Sequence, residues 1–206
     1  MNTAVCFGDS NTWGCDPAGG GRFPRFVRWP GVLQELLGDT WHIVEEGLCG
    51  RTASCEDPLT PFRGAASYIL PCLESHAPAD LVIIMLGTND LKTRLCLSAQ
   101  EIASGIERLV KMVLASEWGP QGKAPEVLLI APAVLHPDTS FVEFLPDGYR
   151  KSLRLAPLLR HTAASLGIRF LDGSAHAEVD AAEGVHLTRE SHRRLAEAAA
   201  EILYDF

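Results

Sequence analysis

Four short stretches of this chain put reactive residue types where a fold could gather them. Ser10 follows an apolar run in AVCFGDS, so a hydroxyl comes directly after a glycine turn. Gly50 lies in EEGLCGRT, Asn89 in VIIMLGTND and His186 in EGVHLT. A serine hydroxyl is a weak nucleophile until a nearby imidazole removes its proton. The tetrahedral intermediate that follows carries negative charge on oxygen, and one preorganised N–H donor lowers the barrier by roughly 2.7–4 kcal/mol. An acid partner would fix the imidazole tautomer and support the imidazolium. Ser10, Gly50, Asn89 and His186 are therefore the parts of an acyl-transfer site. Taken singly, each reads equally well as a turn or a cap, because Gly, Asn and Asp favour turns and Thr188 suits a helix N-cap.

The surrounding pattern gives the set its weight. Apolar runs at Ala4–Phe7, Trp41–Val44, Asp80–Leu86 and Glu126–Ala131, with a weaker one at Ile168–Leu171, read as buried strands. The third and fourth do not alternate with polar residues, as expected of a parallel sheet covered on both faces. Helices are expected at Trp29–Leu37, Ala65–Ser75 (interrupted by Pro71), Ser98–Trp118, Gly148–Leu166 and Thr188–Tyr204. Ser98 and Glu101 have capping-box spacing. Five alternations of strand and helix predict one doubly wound, three-layer α/β domain over residues 1–206. Ligands of such sheets sit at the carboxyl ends of the strands, and Ser10, Gly50 and Asn89 come directly after three of them.

Composition narrows the field further. The 206 residues carry a formal net charge of −8, with 47% hydrophobic and 21% charged residues. That charge offers no footing for nucleic acid or an anionic membrane. No apolar stretch is long enough to span a bilayer, and the start lacks a signal-peptide pattern, so a cytoplasmic protein is expected. The six cysteines form no C-x-x-C pair and are expected as free thiols, without a structural metal. No cofactor is expected: neither a G-x-G-x-x-G nor a P-loop pattern occurs. A non-catalytic flavodoxin-like binding module and a degenerate hydrolase are the competing readings.

The blocks GDSNTWG, EEGLCGRT, VIIMLGTND and EGVHLT resemble, in this order, those of the SGNH (GDSL-type) hydrolases. The stretches WPGVLQELLG and GAASYILPCL are further similar to the arylesterase and acyltransferase branch, also used as perhydrolases. The resemblance implies a flavodoxin-like α/β/α sandwich with a five-stranded parallel sheet in order 2-1-3-4-5. It implies Ser10 as nucleophile and His186 as base. The oxyanion donors would be the backbone N–H groups of Ser10 and Gly50 and the Asn89 side chain. The substrate would be a small ester of an aryl, alkyl or carbohydrate alcohol, without metal or cofactor.

Two positions depart from the family pattern. Asn11 stands where Leu is frequent, with little chemical consequence expected. Glu183 occupies the place of the usual Asp three residues before the histidine; Glu183 is favoured as the acid, with Asp180 as competitor. Within the second block Cys49 is expected to be packed, and outside the blocks His192 is expected to be a surface or satisfied residue. The apolar segment Ala131–Pro146 is expected to supply Val134, Phe141 and Phe144 to a substrate pocket, or to a contact in a homo-oligomer, with Trp13 as a further pocket wall. An apolar mouth of this kind would let alcohols compete with water for the acyl group.

Overall fold

A computed structural model describes residues 1–19, 21–204 and 206. Five parallel strands form one sheet: β1 (Asn2–Gly8), β2 (Trp41–Gly47), β3 (Leu81–Met85), β4 (Glu126–Ala131) and β5 (Arg169–Asp172). Their order is β2-β1-β3-β4-β5, as the family resemblance implied. The chain reverses direction across the sheet between β1 and β3, where α/β folds place their ligands.

Side-chain alternation along β1 builds two cores. Val5 and Phe7 pack with Ile84, Leu129 and residues of three helices, α3 (Ile69–Ser75), α4 (Ala99–Leu114) and α6 (Leu155–Leu166). Ala4 and Cys6 point the other way, against α2 (Trp29–Leu37) and α7 (Arg189–Leu203). Both faces of β3 are covered, and all five of its residues are buried. This explains why LVIIM reads as an unbroken apolar run.

Three expected helices are shorter than their apolar patterns suggested. Pro157 lacks an N–H and its ring crowds the carbonyl four residues earlier. The expected Gly148–Leu166 helix is accordingly split into α5 (Gly148–Ser152) and α6. Pro71 acts the same way: a 3-10 turn at Ala65–Ser67 precedes α3. The helix expected at Ser98–Trp118 ends at Leu114, and the Trp118 carbonyl instead accepts the N–H of Ala79. Its start matches the capping-box expectation, with Ser98 and Glu101 exchanging hydrogen bonds. No helix among the described residues is long and apolar enough to cross a membrane.

Of the two expected settings for His192, surface or satisfied, the surface one is ruled out, and one of its ring nitrogens is satisfied while Nε2 has no partner among the described residues. His192 lies wholly buried on α7, its Nδ1 accepting the N–H of Trp29 at 3.2 Å and its ring edge-on to Phe23. Burial drives its pKa down to about 3, so it serves as a neutral core residue.

Candidate active site

β1 delivers Ser10 to the rim. A side chain at Gly8 would place its Cβ 2.0 Å from Thr12 Oγ1, so only glycine allows the turn that follows to fold back so closely. Asp9 then caps the short helix α1 (Ser10–Trp13), its Oδ1 accepting the N–H of Asn11 at 2.9 Å. Ser10 Oγ comes to rest 3.0 Å from His186 Nε2. On the far side of the ring, His186 Nδ1 meets Glu183 Oε1. The other carboxylate oxygen accepts the N–H groups of Val185 and His186, at 2.8 and 2.7 Å. Nδ1 donates to this carboxylate, which leaves Nε2 free to accept the Ser10 proton.

Asp180, the competing acid, does not face the imidazole. Its Oδ1 accepts the N–H groups of Ala182 and Glu183, so it shapes the turn that holds Glu183. The carbonyl of Glu183 accepts Thr139 Oγ1, Ser140 Oγ and the Ser140 N–H. These bonds fasten the 132–146 segment to Glu183 and set Phe141 edge-on to His186, with ring centres 5.9 Å apart.

Burial opposes charge on His186, but contact with the Cys15 sulfur and with Glu183 outweighs it and lifts the pKa to about 9. For Glu183, burial favours the neutral acid. The His186 hydrogen bonds are stronger in sum and hold the carboxyl below its usual range. A general base must be neutral to accept a proton, so kcat/KM is expected to keep rising with pH until about 9. Cys15→Ala removes a contact that favours the imidazolium; the acidic limb should then move to lower pH. A pH–rate profile of both proteins checks this, and an unmoved limb would remove Cys15 from the account.

The three donors expected to face an oxyanion converge on the same cleft. Gly50 has φ +82°, a conformation open to glycine. Asn89 Nδ2 donates to the Arg51 carbonyl at 3.1 Å, and Asp90 accepts the N–H groups of Ala53 and Ser54. The β3 end thereby holds the Gly50 turn in place. Among the described residues, neither the Ser10 nor the Gly50 N–H is spent on a protein acceptor. The cleft has a volume of about 200 Å³ and is walled by Phe141, Phe144, Val185, Lys92, Glu143, Cys15 and Cys49.

Several expected placements differ. Trp13 lies outside the cleft walls, its ring covered by Arg22 at 5.1 Å and its carbonyl accepting Arg22 Nε. The left-handed Gly14 turns the chain after α1, and Cys15 takes the wall position instead. Val134 lines a separate cavity with His136 and Glu178, because the segment needs several residues after β4 to reach the triad. Cys49 is exposed on the cleft wall rather than packed. Lys92 was not singled out in the sequence; it is buried, with Nζ 3.6 Å from both Asp57 and Glu143.

Asn11 departs most from expectation. Its side-chain amide spans the histidine: Nδ2 donates to the Val185 carbonyl at 3.2 Å, and Oδ1 accepts the Leu187 N–H at 2.9 Å. The residue after the serine thus grips the backbone on both sides of His186. A buried polar group left without its partner costs about 1–3 kcal/mol. Asn11→Leu strands two of them and releases the base, so kcat is expected to fall by about 10–100-fold with KM little changed. Steady-state kinetics beside a thermal melt checks this; a lower Tm with unaltered kcat would reduce Asn11 to a structural role.

One group of metal-ligating types occurs among the described residues: Glu46, Cys72 and His76, whose donor atoms lie within 4.8 Å of one another. Glu46 is already engaged by His76 at 2.9 Å and by Tyr68. It lies apart from Ser10 and His186, across the Gly50 turn.

Known structures repeat this architecture. The aryl esterase of M. smegmatis superposes with a TM-score of 0.93 at 38% identity, the match covering 100% of this chain and 99% of that one. A carbohydrate acetylesterase family member from Sinorhizobium meliloti gives 0.93 at 37% identity, covering 100% and 98%. A G-D-S-L lipolytic protein from Veillonella parvula, at 15% identity and a TM-score of 0.74 over both full chains, shares the fold. Among curated proteins, none matches the chain. Residues 6–194 match the GDSL-like lipase/acylhydrolase family, and with the esterase structures matching end to end, the chain belongs to that family.

Proposed function

We propose that this protein is a serine ester hydrolase acting on short acyl esters of aryl, alkyl or carbohydrate alcohols through an acyl-Ser10 intermediate. The observation that carries the reading is the unbroken hydrogen-bond line from Ser10 Oγ through His186 to Glu183, beside a cleft with unspent N–H donors. His186 Nε2 takes the proton as Oγ adds to the ester carbon. The oxyanion is met by the N–H groups of Ser10 and Gly50 and by the Asn89 amide. The imidazolium, steadied by Glu183, then protonates the departing alkoxide. Water delivers its proton to His186 and attacks the acyl-enzyme, and collapse of the second intermediate frees Ser10.

A cleft of about 200 Å³ suits a short acyl chain. Phe141 and Phe144 present apolar surface to the reacting bond and disfavour water there, so an added alcohol is a competing acceptor. The aryl and carbohydrate leaving groups are those named for the similar esterases. Intact-mass labelling with a fluorophosphonate tests the reading. One adduct on the wild type and none on Ser10→Ala is expected; an adduct that survives the substitution overturns it. Product analysis in water containing an alcohol follows the acyl transfer.

A further inference from the structure

Arg63 lies against the outer side of the Gly50 turn. A Cβ at Gly50 would stand 3.6 Å from Arg63 Cδ and Nε, so the Arg63 side chain occupies the space just beyond Gly50. Among the described residues the guanidinium makes two long contacts, Nη1 at 3.4 Å from the carbonyls of Pro61 and Phe62. Its Nε is buried without a hydrogen-bond partner, and among the described residues no carboxylate pairs with it. Nearby arginines are bound differently. Arg94 pairs with Asp57 at 2.5 Å, and Arg51 donates to the carbonyls of Gly8 and Glu46 while stacking on Phe7.

Arg63 also faces a cavity of about 360 Å³, whose walls include Phe62, Tyr68, Ser67, Arg51 and Glu46. This cavity and the catalytic cleft share the Leu48–Arg51 turn as a common wall. Glu46, the one acid in it, is engaged by His76 and by the Tyr68 hydroxyl, with Arg51 beside it. Among the described residues the Arg63 guanidinium has no carboxylate partner, and Glu56 is spent on the Arg63 backbone N–H at 3.0 Å. A guanidinium fork matches the two oxygens of a carboxylate or phosphate, and a shielded N–H without an acceptor is costly.

We propose that Arg63 forms an anion subsite beside the catalytic cleft, and that the preferred esters carry a carboxylate or phosphate group. The proposal rests on the serine-esterase reading and names its substrate class. Phe62 projects at the edge of the same cavity with φ +62°, 87% exposed, and provides an apolar rim for the part of the substrate between ester and anion.

The test compares kcat/KM for 4-acetoxybenzoate, its neutral methyl ester and 4-acetoxyphenyl phosphate, in the wild type, Arg63→Gln and Arg63→Lys. An acyl-side arm uses 4-nitrophenyl hemisuccinate against 4-nitrophenyl butyrate. In at least one arm the anionic-to-neutral ratio is expected to fall about tenfold in Arg63→Gln, through KM, and to recover partly in Arg63→Lys. The neutral esters should stay within about twofold throughout, which separates this result from a damaged catalytic site. The arm that responds tells whether the anion sits on the alcohol or the acyl side, and whether carboxylate or phosphate is preferred. Equal ratios in wild type and Arg63→Gln in every arm overturn the subsite while leaving the esterase intact. A wild type that hydrolyses none of these esters overturns the serine-esterase reading and this proposal with it.

Discussion

Ser10→Ala is expected to reduce kcat for 4-nitrophenyl acetate by roughly four to six orders of magnitude. The substitution removes the one hydroxyl among the described residues within hydrogen-bond reach of His186 Nε2. It leaves the Gly50 and Asn89 donors in place, so a residual acceleration over water of about 10³–10⁴ should persist from binding and oxyanion stabilisation. Ser10 Oγ has no other hydrogen-bond partner among the described residues, and alanine suits a helical position, so the thermal melt should barely move. The low residual rate must be measured on protein free of host esterases, with fluorophosphonate titration of active sites as the control. Activity above about a tenth of wild type would place the nucleophile elsewhere. Cys15, on the same cleft wall and in contact with the imidazole, would be the first alternative.

Glu183→Gln should cost about 10³–10⁴-fold in kcat, whereas Asp180→Asn should cost tenfold or less. The glutamate uses both oxygens, one on His186 Nδ1 and one on two backbone N–H groups. A glutamine has a single acceptor oxygen. If that oxygen keeps the backbone bonds, its NH₂ faces Nδ1 and favours the tautomer with the proton on Nε2. That proton then points at Ser10, and the base is lost. Asp180 acts only through the turn that carries Glu183, so its removal loosens the site without reversing the tautomer. The pH profile supplies an independent check. Glu183 raises the His186 pKa, so the residual activity of Glu183→Gln should show its acidic limb at lower pH than wild type. Equal losses in the Glu183 and Asp180 variants would show that the acid role is shared or misassigned.

Much of the frame could be read from local pattern. Buried parallel strands need uninterrupted apolar runs, and DLVIIML and EVLLIA are such runs; the strands they predict are β3 and β4. Capping and helix ends followed side-chain chemistry at Ser98 and Thr188, both of which cap as expected. Ser10, Gly50, Asn89, Glu183 and His186 were accessible because each lies in a short block next to a strand end or a helix start. The structure brings those five together. Residues whose significance comes from distant partners were not legible. Asn11 finds Val185 and Leu187 at separations of 174 and 176 residues, and nothing local marks that pairing. Trp13 was chosen by closeness to Ser10 in sequence, yet the left-handed Gly14 sends the chain round so that Cys15 reaches the cleft. The buried state of His192 depends on how α7 docks on α2, which periodicity alone does not specify.

Ser10 and His186, the proposed nucleophile and base, lie 176 residues apart, one directly after β1 and the other just before the final helix. The site is therefore complete only once the region after β1 and the region before α7 have been brought together. Parallel pairings of this separation close large loops and form slowly. Regain of esterase activity during refolding should consequently be a clock for the last long-range closure, which also buries Trp29 against α7, while helix content recovers earlier. In a growing chain the same spacing keeps a half-made protein from attacking esters before its C-terminal helix has emerged. The sheet thus acts as a timer on its own chemistry.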